Sequence, residues 1–74
     1  MFIHTIDFGF YKKINVNMSN LKIWNNDEIK KLLDEKYPKL SNYYDKVLFI
    51  KSREDIAKLV ILKEHGGLYI NIYL

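Results

Sequence analysis

The sequence predicts a small α/β domain: an open, mainly parallel sheet with flanking helices. Three observations predict it. The regular segments fall in the order strand, strand, helix, helix, helix, strand, and strands separated by helices favour parallel pairing through crossovers. The final segment, residues 68–74, is nearly all apolar, the pattern of an interior strand covered on both faces. The segment before it is helix-forming, apolar over more than one stripe, and stops at two glycines.

Each element has its own local cause. Residues 1–7 read as a strand because Phe2, Ile3, Thr5 and Ile6 favour β structure and Gly9 then breaks the run. Residues 8–20 have no sustained period, and Asn15, Asn17, Ser19 and Asn20 mark a loop with room for a short extended piece over 14–16. Residues 21–24 alternate between turn residues and form a second strand. Asn25, Asn26 and Asp27 supply an N-cap for a helix to Lys36, whose Ile29, Leu32 and Leu33 make one apolar face. Asp27 and Glu28 in its first turn and Lys36 in its last complement the helix dipole. Pro38 ends it and biases Tyr37 towards extended backbone.

Residues 40–48 form a second short helix with Leu40, Tyr43, Tyr44, Val47 and Leu48 on one side. Ser52 starts the third, with Asp55 placed to reach back as in a capping box. Ile56, Leu59, Val60, Ile61 and Leu62 predict burial of that helix on two sides. It ends at Gly66, expected as a left-handed cap.

Composition narrows the class. At 74 residues the chain is a single domain, residues 1–74, near the lower limit for one core. It has no cysteine, so disulfide staples and thiolate metal sites are excluded. The net charge of +3 comes from lysines spread among acids, which is a solvated surface and not a nucleic-acid stripe. No apolar run approaches the ~20 residues that span a bilayer, and no basic region precedes the apolar start, so a cytosolic or virion-interior setting is the default. Asn17-Met18-Ser19 fits a glycosylation sequon that would matter only in a secreted chain.

The chemistry-bearing residues lie at the ends of the predicted strands. Ser52, Arg53, Asp55 and Lys58 surround a helix start at the open end of a parallel sheet, where such folds bind nucleotides. Asp55 could accept from a sugar hydroxyl and Lys58 approach a phosphate; equally, one is a cap and the other a solvated side chain. Gly66-Gly67 allows either close backbone approach to a diphosphate or simply a helix stop. Asn71 and Tyr73 stand at i and i+2 of a strand end, where two carboxylates would hold Mg²⁺ or Mn²⁺. An amide oxygen and a protonated phenol lack the charge a hard cation needs, so no metal site is expected there. His4 and His65 are the only histidines, and neither has a partner arrangement of a catalytic base. Trp24 and the six tyrosines read as core and rim.

In order, these pieces resemble the glycosyltransferase family with the DXD sugar-binding motif, the group that includes inositolphosphoceramide mannosyltransferases, capsular polysaccharide transferases and many giant-virus homologues. Phe2-Ile3-His4-Thr5-Ile6-Asp7 is similar to the family's opening Ile-Ile-His-Gln-Ile-Trp, with Asp7 in place of Trp. Ile23-Trp24-Asn25-Asn26-Asp27 resembles its Leu-Trp followed by Asn or Asp, and Tyr37-Pro38 its Tyr-Pro. Arg53-Glu54-Asp55-Ile56-Ala57-Lys58-Leu59 looks like Arg-Ala-Asp-Leu-Ala-Arg-Tyr. Gly66-Gly67-Leu68-Tyr69-Ile70-Asn71-Ile72-Tyr73 looks like Gly-Gly-Ile-Tyr-Leu-Asp-x-Asp, at the preserved interval from Asp55.

The resemblance implies the donor-binding, N-terminal half of a nucleotide-diphospho-sugar transferase of GT-A type. It implies a nucleotide sugar as partner, contacted by His4, Trp24, Asp55, Lys58, Gly66, Gly67 and Tyr69. Asn71 and Tyr73 would stand at the two metal-binding aspartates of a family that uses Mn²⁺ or Mg²⁺. Lys58 for Arg loses a bidentate fork. On this reading the chain is a truncated and degenerate hexosyltransferase domain with no catalytic residue and no cofactor, inactive alone. A non-catalytic nucleotide-sugar-binding or assembly module, its open surface covered by self-association or a partner, is the alternative.

Overall fold

Six elements organise the described residues: β1 (Ile3–Ile6), β2 (Leu21–Trp24), α1 (Asn26–Lys36), α2 (Pro38–Lys46), α3 (Ile50–His65) and β3 (Leu68–Tyr69). They are seen in a computed structural model that describes residues 2–9 and 19–71. The strands form one parallel sheet in the order β2-β1-β3. Ile3 pairs with Leu21 on one side and Leu68 on the other, and His4 with Lys22 and Tyr69. The predicted α/β class, element order and parallel pairing are therefore present.

The register assigns the faces. His4 and Ile6 alternate with Ile3 and Thr5 along β1, so His4, Ile6, Lys22, Trp24 and Tyr69 share one face of the sheet. Ile6 and Trp24 from that face meet Ile29 and Leu33 of α1, Tyr44 of α2, and Ala57, Val60 and Ile61 of α3 in one buried core. Of the strands, β1 is central. The last strand, expected in the interior of the sheet, takes an outer position among the described strands, and Leu68 is 54% exposed.

Local chemistry sets the helix ends. Asn25 caps α1 through a capping box: its side chain accepts from the Glu28 amide at 2.8 Å, and Glu28 accepts from the Asn25 amide at 3.2 Å. Tyr37, at φ −140°, closes α1 and opens α2, whose first residue is Pro38. Proline suits that position because a first-turn N–H has no intrahelical acceptor to lose. The helix thus starts two residues before the expected 40. Its buried side also differs from the expected stripe: Ser41 and Tyr44 are buried, whereas Tyr43 is 60% and Leu48 90% exposed. The cause is polar. Lys30 of α1 joins Asp34, Asp45 and Ser41, and Ser41 also donates to Asp34, so α2 docks through this network beside Tyr44.

The third helix begins at Ile50, with Phe49 as an N-cap lacking a side-chain bond, so Ser52 lies inside it and does not cap it. Arg53 explains the earlier start. Its amide donates to Phe49 O, and its guanidinium donates to Val47 O at 2.8 Å and Asp45 O at 3.3 Å, gathering the α2–α3 corner. Burial on two sides is not reached either, because Leu59 is 68% exposed. Gly66 ends α3 with the expected positive φ of +67°, but its ψ of −163° sends the chain out extended towards β3. The extended piece expected over 14–16 lies outside the described residues.

Candidate functional site

In an open parallel sheet, ligands bind beyond the carboxyl ends of the strands. Here those ends carry Asp7, Phe8 and Gly9 after β1, Asn25 to Asp27 after β2, and Ile70 and Asn71 after β3. The first two groups line a depression of about 360 Å³. Asp7 accepts from the Gly9 amide at 2.7 Å, folding the chain back after β1. Asn26 accepts the Tyr44 hydroxyl at 2.7 Å. Read from sequence, Asn25 to Asp27 were only a helix cap. The signal that could have added them, and Asp7, is their position directly after two strands of a parallel sheet.

The expected binding residues fall into two groups. Asp55, Lys58 and Tyr69 come together where α3 crosses β3. The Lys58 ammonium lies 3.9 Å from Asp55 and 5.5 Å from the centre of the Tyr69 ring. The Tyr69 hydroxyl donates at 2.9 Å to Glu54, a residue only 9% exposed. Burial, followed by the carboxylate beside it, pushes the Tyr69 phenol far above its ordinary value. Tyr69 therefore stays protonated, with its hydroxyl committed to Glu54, and presents its ring to Lys58. Glu54 is not among the residues the sequence pattern marks as functional. A signal was available: it stands where the family pattern has Ala, at i−3 and i−7 from the buried Ala57 and Ile61.

His4, Trp24, Gly66 and Gly67 form the second group. His4, 2% exposed, receives the Trp24 indole N–H on Nδ1 at 3.1 Å. Nε2 must then carry the proton and donates to Gly66 O at 3.0 Å. Burial holds this imidazole below its ordinary value of 6.5, opposed by the Gly66 bond and reinforced by His65 and Lys22. Gly67, at φ +90°, lies so close to β1 that a β-carbon on it would sit 2.2 Å from Phe2 O. Phe2, His4, Lys22, Trp24 and His65 enclose a hollow of about 180 Å³. Neighbouring register positions, His4 and Tyr69, join the two groups across β1 and β3.

A divalent cation needs anionic oxygen ligands. Asn71, exposed at the end of β3, brings a neutral amide, and residues 72–74 contain no carboxylate side chain. Tyr73 lies outside the described residues. Among the described residues no group of three or more His, Cys, Asp or Glu side chains could hold a metal ion. The donor set at Asn71 and Tyr73 does not fit the family's metal.

The described strands form a small open parallel sheet, and the last of them follows the Gly66-Gly67 doublet at the end of α3. The model of the glycosyltransferase sugar-binding region containing the DXD motif matches residues 5–72, and the chain belongs to that family. It is also 36% identical, over 61 residues, to an uncharacterized glycosyltransferase of Acanthamoeba polyphaga mimivirus. That match covers 81% of this chain and 24% of the viral protein. No solved structure gives a significant match. No helix among the described residues is long and apolar enough to cross a membrane.

Proposed function

We propose that this chain descends from enzymes that transfer a hexose from a nucleotide-diphosphate sugar, and that it does not itself catalyse transfer. The observation carrying this reading is that Asn71 and Tyr73 stand where the resemblance puts the two acidic positions of the motif. A metal that neutralises the departing diphosphate supplies much of the electrostatic stabilisation in such a transfer. An amide and a phenol cannot hold it.

Binding of a nucleotide sugar without metal is the second reading, and a specific arrangement favours it. Lys58 is a cation held over the Tyr69 ring, with Asp55 beside it, so a donor to phosphate and a carboxylate that accepts from hydroxyls lie one turn apart. Calorimetric titration of UDP- and GDP-sugars, with and without Mn²⁺, tests both. Binding independent of metal and lost in Asp55→Ala supports the module; absence of binding leaves the inactive domain alone. Metal-dependent binding, or turnover of the sugar nucleotide, overturns the assignment of Asn71 and Tyr73.

A further inference from the structure

One imidazole ties together the strands on either side of the site. The Trp24 indole on β2 donates to His4 on β1, and His4 donates onward to the carbonyl of Gly66, where α3 turns into β3. The ring is 2% exposed, and both of its nitrogens are used. This pattern exists for one protonation state and one tautomer only: neutral, with the proton on Nε2.

We propose that His4 is an acid-operated latch on Trp24. A proton added at Nδ1 converts the acceptor of the indole N–H into a second donor, so the two N–H groups face each other and the Trp24 bond is lost. The Gly66 bond, made by the opposite nitrogen, survives the change. Release is therefore local to β2, and Trp24 is the residue directly before Asn25 and the wall of the carboxyl-end depression. That the freed indole alters ligand binding rests on the donor-site reading; the latch itself does not.

The surroundings leave the imidazolium without a counter-charge. From α3, the His65 ring stands 6.1 Å from His4 and 5.4 Å from Trp24. From β2, Lys22 places its ammonium 5.2 Å from the centre of the Trp24 ring. The nearby acid of α1, Glu28, is already paired with Lys22 at 2.6 Å. On β3, the Tyr69 hydroxyl is bonded to Glu54. Burial, with His65 and Lys22 nearby, thus opposes protonation, so the latch opens only below the ordinary histidine range.

Trp24 is the one tryptophan of the chain, so its fluorescence reports the latch directly. In the full chain, titrated from pH 8 to pH 4 with far-UV dichroism followed in parallel, the emission should change in a one-proton step. Its midpoint should lie below 6.5, with the released form rising about tenfold per pH unit above that midpoint and the helical signal unchanged. The step should persist in His65→Ala, moved to higher pH, and vanish in a folded His4→Asn variant. Should His4→Asn not fold, the imidazole ¹⁵N shifts of the unmodified chain at pH 7 decide, with His4 expected as the Nε2–H tautomer. An Nδ1–H tautomer, a midpoint at or above 6.5, a step that survives in His4→Asn or disappears in His65→Ala, or simultaneous loss of helix overturns the proposal.

Discussion

Two adjacent glycines end α3, and their backbones set different demands. Gly66 has φ +67° with no atom within 4 Å of where a β-carbon would stand, so an alanine there meets only the backbone penalty. Gly67 has φ +90°, and its missing β-carbon is the space taken by Phe2 O. The close approach lets the Leu68 amide donate to that same oxygen at 3.1 Å, which starts the β1–β3 ladder. Gly66→Ala should therefore cost about 1–3 kcal/mol in urea unfolding, the penalty of a positive φ with extended ψ that glycine alone adopts readily. Gly67→Ala should cost clearly more, because β3 must move off β1; equal losses for the two variants would contradict the 2.2 Å approach. The doublet could be read from sequence as a helix stop. The unequal roles could not, because the crowding comes from a residue 65 positions away, Phe2.

At the scale of elements, the position of β3 on α3 depends on one buried pair. Glu54 sits on the core-facing side of α3, with Tyr69 as its hydrogen-bond donor and Lys51 at 3.9 Å. Tyr69→Phe keeps the ring under Lys58 but removes the carboxylate's hydrogen-bond donor, leaving it only Lys51 at 3.9 Å. The expected loss is about 1–3 kcal/mol in chemical denaturation, the usual cost of a buried polar group left without its partner. Glu54→Gln, which keeps an acceptor oxygen, should lose less; the reverse ranking would remove this pair from the account of β3. The cap of α1 gives a second measure: Asn25→Ala should cost about 1 kcal/mol, read as a lower melting temperature. Asn25 was legible from sequence because a cap is decided within four residues. The docking of α2 was not, since the positions that look apolar, Tyr43 and Leu48, are exposed while Ser41 is buried in a charge network with α1. Ser52 misled for a related reason: Arg53 captures carbonyls of the preceding corner and moves the helix start upstream. The parallel frame followed from element order and the glycine doublet. The grouping of Asp55 and Lys58 with Tyr69, apart from His4 and Trp24, depended on register.

For the whole molecule, the ionisable groups define a plateau of stability with two flanks. His4 is held below its ordinary 6.5, so the unfolded chain binds its proton first, and stability is lost as pH falls from 6.5 through the folded value. Glu28 and Asp34, lowered from 4.5 and 3.8 by their bonds to Lys22 and Ser41, continue the loss in the same direction at lower pH. Tyr69 and Tyr44, both raised above 10.0 chiefly by burial, act oppositely: the unfolded chain gives up these protons first, so stability falls as pH rises past 10. Melting temperature should be flat between about pH 7 and pH 9 and fall on both sides, with the first acid decline absent in a folded His4→Asn variant. The frame that these groups hold in place also bears on the proposed loss of metal chemistry. If Asn71 and Tyr73 occupy the positions of the family's metal aspartates, then Asn71→Asp combined with Tyr73→Asp should bind Mn²⁺ more tightly than the unmodified chain does. Two strand-end carboxylates at i and i+2 point to the same side and share one cation, so either single change should gain far less than the pair. Manganese-dependent relaxation of water protons measures this without any substrate. If the double variant binds no better than the unmodified chain, the loss goes beyond two side chains, and the backbone at the end of β3 no longer has the geometry of a metal-diphosphate site.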